Sequence, residues 1–238
     1  MNRGIYATAT GMLAAQRAMD VVANNLANAS TNGFKRDAIA FNDAMVQYLS
    51  GPNGVIGTLG SGAVEQAQYT VFHTGPISAT GNPLDVALNS EAGAFAVQTQ
   101  QGIRYTRDGS FGIDEQGLLV DGSGNPVLDE RQNPIQMPEG SVRIKPDGEV
   151  LVDEKPVGVL GVFEGRFVKQ GDNLFVGFDI AATAEREIVW KSLEGSNVNP
   201  VAAMSEMITL NRAFEMAQRS IQQQDDLTQK LIQSLQDR

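Results

Sequence analysis

Every one of the nine prolines lies between Pro52 and Pro200, and 22 of the 25 glycines fall between residues 51 and 200. No residue after position 200 is glycine. Both residues interrupt helices: proline lacks a donor and clashes with the preceding turn, and glycine carries a large entropic cost. The two ends of the chain are therefore free to be long helices, whereas the middle must turn often. Charge follows the same division. Residues 1–50 carry four basic and three acidic groups, and residues 201–238 carry four and five. The middle carries ten basic and twenty acidic groups, so it holds nearly all of the net charge of −10.

The first flank reads as a helix from Asn2 to Ala29. Ile5, Thr8, Met12, Ala15, Met19, Val22, Leu26 and Ala29 recur at alternating spacings of three and four, an a/d heptad seam. Such a helix is on the order of 40 Å long. The last flank starts at Asn199-Pro200, where Asn caps and Pro fits the first turn. Ala203, Met207, Leu210, Phe214, Ala217, Ile221, Gln224, Thr228, Leu231 and Leu235 then repeat the seam over roughly 50 Å. Two such seams at opposite ends of one chain are expected to pair with each other and with neighbouring subunits. Ile5, Met12, Met19, Val22, Leu26, Met207, Leu210, Phe214, Ile221, Leu231 and Leu235 are the expected packing residues.

The middle reads as short antiparallel strands. Leu84, Val86 and Leu88 alternate after the turn Thr80-Gly81-Asn82-Pro83. Val142 and Ile144 precede Pro146-Asp147-Gly148, and Val150 and Val152 follow. Asp-Gly supplies the positive φ of a tight hairpin. Strands are also expected around Tyr105–Phe111, Leu118–Val120, Val157–Phe163 and Leu174–Phe178. The fold class expected is α+β: long N- and C-terminal helices forming a coiled-coil layer, with a central all-β domain of short antiparallel strands. Residues 1–34 and 200–238 would form the helical assembly domain, 35–64 an extended linker, and 65–199 the β domain.

The residues offer little to an enzyme. Without cysteine there is no disulfide, thiolate metal site or thiol nucleophile. His73 is the only histidine, so zinc sites of the usual kinds fail. Neither a Gly-x-Ser-x-Gly elbow nor a phosphate-binding loop occurs. Asp85, Asp108, Asp114 and Glu194 could supply a carboxylate pair, but in an acidic domain such residues are mostly solvated or turn-forming. Asp121-Gly122-Ser123-Gly124-Asn125 lacks the alternating ligands of a calcium loop and reads as a turn. No cofactor is expected. An acidic chain whose largest basic cluster is Lys35-Arg36 argues against nucleic acid as a partner. No window has the roughly 18 to 20 apolar residues of a membrane span, and the start has no secretory leader pattern.

Asparagine clusters behind the first seam, at Asn24, Asn25, Asn28 and Asn32. Asn bonds readily to nearby backbone, and Asn32-Gly33 can end a helix. The run Ala23-Asn24-Asn25-Leu26-Ala27-Asn28, followed by Thr31-Asn32-Gly33-Phe34-Lys35, resembles the N-terminal motif of the flagellar basal-body rod and hook protein family. The likeness continues through Thr80–Leu88 and Tyr105-Thr106-Arg107-Asp108-Gly109-Ser110-Phe111. It closes with Leu193-Glu194-Gly195-Ser196-Asn197-Val198-Asn199 and the helix through Met204, Met207, Ile208, Arg212 and Phe214. These blocks stand in family order and span nearly the whole chain.

The resemblance implies a non-enzymatic building block of the basal-body rod, which assembles axially, transmits torque and leaves a channel for export. It also implies passage through the flagellum-specific type III export apparatus without a cleavable signal, and residence in the periplasmic rod. The implied partners are further copies, other rod and hook subunits, the export apparatus and, as a contact surface, the peptidoglycan layer. Asn24, Asn25, Asn28, Gly33, Phe34, Glu194, Ser196, Asn197 and Asn199 would form a junction between helices and β domain. The short 51–64 stretch and the run Glu194–Met207 resemble the proximal branch most, with the distal branch second. Glu91-Ala92-Gly93-Ala94-Phe95-Ala96-Val97 departs from the Gly-x-Gly-Phe-Phe pattern of distal and hook relatives. Two readings of another kind remain: a secreted hydrolase acting on peptidoglycan, and a tube component of a phage or secretion system.

Overall fold

The computed structural model describes residues 2–43, 46–51, 54–60, 63–183 and 186–236. The side chains of residues 2–6, 41–66, 231 and 234–236 lie outside that description, and with them the expected packing positions Ile5, Leu231 and Leu235. The chain has mixed helix and strand content with a β-rich centre. It divides into two compact units, residues 1–27, 37–69 and 199–238 forming one, and residues 28–36 and 70–198 the other.

The first unit holds both helices, α1 (Asn2–Ala27) and α2 (Pro200–Gln236), which pack against each other. Along α1, Met12, Met19 and Leu26 are half-buried and Val22 is buried. Along α2, Ala203 is buried and Met207, Leu210, Phe214, Ala217 and Ile221 are half-buried. Each seam therefore faces inward within this unit. The N-terminus of α2 is closed by Asn199, whose Oδ1 accepts from the N–H groups of Val201 and Ala202, each at 3.1 Å. These are two of the donors that every helix start leaves unpaired. α1 stops at Ala27, two residues before the expected end. There Asn28 turns the chain, its carbonyl accepting from Thr31 N–H and its side-chain oxygen from Thr31 Oγ1. The 35–64 stretch is extended and paired: β1 (Asp37–Asp43) lies beside β4 (Ala63–Thr70), and β2 (Val46–Gly51) beside β3 (Gly54–Gly60).

The second unit is built from thirteen described strands. β7 (Gly93–Thr99), β8 (Gly102–Thr106), β14 (Val162–Gly171) and β15 (Leu174–Ala182) close into a small barrel. The pairs β5 (Ile77–Ala79) with β17 (Ser192–Glu194) and β6 (Val86–Leu88) with β16 (Ile188–Trp190) join early chain to late chain. β9 (Gly112–Ile113) pairs with β10 (Leu119–Val120). The expected hairpin is present as β11 (Val142–Ile144) and β12 (Glu149–Val152), turning at Gly148 with φ +87°, and β13 (Lys155–Val159) extends it.

β7 shows why a large–small alternation suits this position. Successive strand residues point to opposite faces. Phe95 and Val97 enter one core with Val86, Leu88, Phe111, Leu119 and Val150, whereas Ala94 and Ala96 enter a second with Tyr105, Leu128, Phe163 and Phe175. Tyr105 and Phe163 meet edge to face across the second core, 5.8 Å between ring centres. Small side chains on that face of β7 leave volume for those rings.

Several aspartates of the middle segment build turns. Asp114, Asp121 and Asp129 each use Oδ1 to accept N–H groups two and four residues ahead: Gln116 and Leu118, Ser123 and Asn125, Arg131 and Asn133. This is the local side-chain-to-backbone bonding at which Asp excels. It also accounts for the Asp121–Asn125 run as a turn.

Candidate functional site

The expected junction residues divide between the two units. Asn25, in the first unit, is 7% exposed, and its side chain reads the start of β1 as a neighbouring strand would. Its Nδ2 donates to the Asp37 carbonyl at 2.8 Å, and its Oδ1 accepts from Asp37 N–H at 2.9 Å. Asn24 is exposed on the same helix, and Asn199 is the cap of α2.

The remaining junction residues lie in the second unit, where Glu194 is the centre of a buried charge cluster. The Glu194 and Lys35 side chains are completely buried, as is that of Arg107. Glu194 Oε1 accepts from Lys35 Nζ at 2.5 Å and from Gly75 N–H at 2.7 Å, and Oε2 accepts from Arg107 Nε at 2.9 Å. The two cations spend their other donors on backbone. Arg107 Nη1 and Nη2 reach the carbonyls of Gly93 and Ser90, and Lys35 Nζ that of His73. Two buried cations thus share one carboxylate. Burial, and then the neighbouring Arg107 guanidinium, push the Lys35 ammonium below its ordinary 10.5, against the opposing pull of Glu194. A charge cluster buried from solvent is tolerable only when its polar groups find partners, and here the carboxylate has three.

Around this cluster the backbone is tied as closely as the side chains. Gly33, at φ +63°, donates its N–H to the Glu194 carbonyl at 2.7 Å. A Cβ on Gly33 would stand 2.3 Å from the Arg107 carbonyl carbon, so both the angle and the space exclude a side chain. Asn197 Oδ1 accepts from Arg36 N–H at 2.7 Å, and its Nδ2 donates to the carbonyls of Val71 and His73. Asn197 N–H donates to the Phe34 carbonyl. Phe34 is 3% exposed and lies under Lys169 Nζ, 3.6 Å from the ring centre. Ser196 is buried and caps Val198 N–H.

Sequence reasoning named Glu194, Ser196, Asn197, Asn28, Gly33 and Phe34 but missed Lys35 and Arg107. Both lie inside blocks singled out above, at the end of Thr31–Lys35 and within Tyr105–Phe111. A cation amid apolar and turn residues was the available signal. Its partner, 159 residues away for Lys35 and 87 for Arg107, was not. Asp85 accepts from Thr80 Oγ1 and Asn82 Nδ2, so that carboxylate organises the Thr80–Asp85 turn. Among the described residues, no group of His, Asp and Glu is arranged to hold a metal ion.

Three family models match the chain in order: "Flagella basal body rod protein" over residues 5–35, "Flagellar hook protein FlgE/F/G D1 domain" over 90–152, and "Flagellar basal body rod FlgEFG protein C-terminal" over 191–234. The flagellar basal-body rod protein FlgF of Caulobacter vibrioides is 31% identical over 247 residues, covering 99% of this chain and 98% of that one. FlgF of Escherichia coli is 36% identical over 251 residues, 95% of each chain. The rod protein FlgG of Buchnera aphidicola is 35% identical over 260 residues, 96% of this chain and 98% of that one.

The chain belongs to the flagellar basal-body rod protein family. The rod protein is a structural subunit, not an enzyme. Each matched region gives one charged member to the buried cluster: Lys35 from the first, Arg107 from the second and Glu194 from the third. No described helix of the rod protein is long and apolar enough to cross a membrane.

Proposed function

We propose that the rod protein assembles axially through α1 and α2, whose seams bury in a coiled-coil layer lining an export channel, while the β unit adds lateral contacts. The carrying observation is that the seam residues of both helices face inward, whereas the large apolar residues off the seam, Val21 apart, are exposed among the described residues. Met12, Met19, Val22, Leu26, Met207, Leu210, Phe214 and Ile221 are at least half-buried, whereas Leu13, Val201, Met204, Ile208, Met216 and Leu227 are 52–77% exposed. Val201, Met204 and Ile208 recur at three and four and so share one face of α2. That face is the natural seat for a helix of the next subunit. Ile5, Leu231 and Leu235 continue the seams by spacing.

In this reading the subunit transmits torque within the periplasmic rod, reaches it through the flagellar type III apparatus, and meets the peptidoglycan layer where the rod crosses it. The short 51–64 stretch supports a place in the proximal rod. The FlgF alignments of 247 and 251 residues, against 260 for FlgG, support a FlgF-type subunit.

The test is deletion of the gene, with swimming scored and purified basal bodies imaged. Non-motile cells with truncated rods and no hooks are expected, restored by the intact gene but not by one lacking residues 201–238. The double substitution Leu26→Asp with Phe214→Asp is expected to block assembly while leaving the β unit folded. Its normal incorporation would refute the role given to the seams, and normal motility of the deletion strain would refute the rod reading.

A further inference from the structure

The β unit begins at Asn28 and ends at Val198, and the segments that follow its first residue and precede its last lie side by side. Their bonds rise together in number: Gly33 N–H to the Glu194 carbonyl, then Asn197 N–H to the Phe34 carbonyl and Arg36 N–H to Asn197 Oδ1. The two segments therefore run in the same sense. Lys35 and Glu194 bridge them with a buried ion pair, and the third segment, Val71 to Gly75, is bonded to both through Val71 N–H, Asn197 Nδ2 and Glu194 Oε1.

This direction matters under tension. A pull entering at Asn28 draws the first segment backward along the chain, and a pull leaving at Val198 draws the second forward. Because the segments are parallel, those forces oppose each other along their common length. Every bond between them is then loaded at once and must yield together. In an antiparallel pair the same pull would open the bonds one after another from an end.

We propose that the junction of residues 33–36 with 194–197 is a mechanical clamp, loaded in shear, that passes axial tension across the β unit without stressing its barrel. The buried triad of Lys35, Arg107 and Glu194 is its strongest element, because charge-assisted bonds shielded from water resist exchange with solvent. The clamp bypasses the intervening strands: tension crosses from Lys35 to Glu194 directly and not through the chain that separates them. Its purpose rests on the reading of the chain as a load-bearing rod subunit, but its mechanics belong to the single chain.

The experiment is constant-force stretching of the full-length chain held by its two termini. Forced rupture reports the unfolding rate directly. The β unit is expected to give way in one step, releasing on the order of 500 Å of chain at about 3.3–3.6 Å per residue. The chain has no cysteine, so a second attachment through Gln116→Cys and Arg166→Cys, both exposed, pulls the same unit without entering through the two segments. Glu194→Gln is expected to shorten the lifetime under terminal pulling roughly ten-fold or more beyond its effect under the internal pull, because it removes a charge-assisted bond from the loaded junction. Asn197→Ala, which removes three bonds and leaves the ion triad intact, serves the same comparison if Glu194→Gln does not fold. Equal shortening in both geometries would reduce the junction to ordinary stability and overturn the clamp. So would gradual peeling of the two segments before the barrel opens. Neither outcome bears on the motility of the deletion strain, which tests the rod reading separately.

Discussion

Replacing Glu194 by Gln exchanges one oxygen for an NH2 group and abolishes one hydrogen bond. The amide oxygen can still accept from Lys35 Nζ or Gly75 N–H, but the new NH2 faces Arg107 Nε, donor against donor. Two cations with no exposed side-chain surface then lack a counter-charge. Breaking a buried pair in this way costs about 3–5 kcal/mol, chiefly through the charge left behind. Against a domain stability of about 5–15 kcal/mol, that is a large fraction. The single tryptophan, Trp190, sits in β16 of the affected unit and donates Nε1–H to the Pro83 carbonyl, so its fluorescence follows urea unfolding of that unit. Lys35→Met should cost less, because Arg107 still faces the carboxylate. In the double variant, removing Lys35 relieves part of the stranded charge, so the effects should fall short of additivity by about 1–3 kcal/mol. A Glu194→Gln loss under about 1 kcal/mol, or full additivity with Lys35→Met, would refute the claim that the cluster acts as one buried unit.

Gly33→Ala should destabilise by more than about 2 kcal/mol, since a positive φ and a backbone collision coincide there, whereas Gly81→Ala, at φ +82° with open space around it, should cost only about 1 kcal/mol; thermal melts compare the two. Burial raises the Asp108 carboxyl above its ordinary 3.8, so the folded chain holds that proton more tightly than the unfolded chain. Its contribution must therefore fall as pH rises through the window above 3.8, and Asp108→Asn, which keeps the acceptor used by Ser110, should flatten the fall in urea midpoints. Lys35 is shifted the other way: its proton is held less tightly in the fold, so its contribution should improve as pH rises toward 10.5, and Lys35→Met should remove that slope.

Much of this protein is legible in its sequence because the forces involved are local. Proline and glycine act on their own dihedrals, so their confinement to one interval located the helices at both ends. The 3–4 spacing of apolar residues needs only helix geometry to mark a face, and that face is the one turned inward along α1 and α2. Asn199 caps the N–H groups of Val201 and Ala202, two and three residues ahead, and Asp147-Gly148 turns a hairpin between adjacent strands. Other tight turns carry no glycine to mark them: Asp153-Glu154 and Asp172-Asn173 join strands with positive φ at residues that also serve many other kinds of turn. The pairing of β5 with β17 and of β6 with β16, and the meeting of Lys35, Arg107 and Glu194, were decided only by the tertiary structure. Pairing at such separations depends on which surfaces the whole chain buries together, and a lysine reads the same in one dimension whether it ends in water or against a carboxylate.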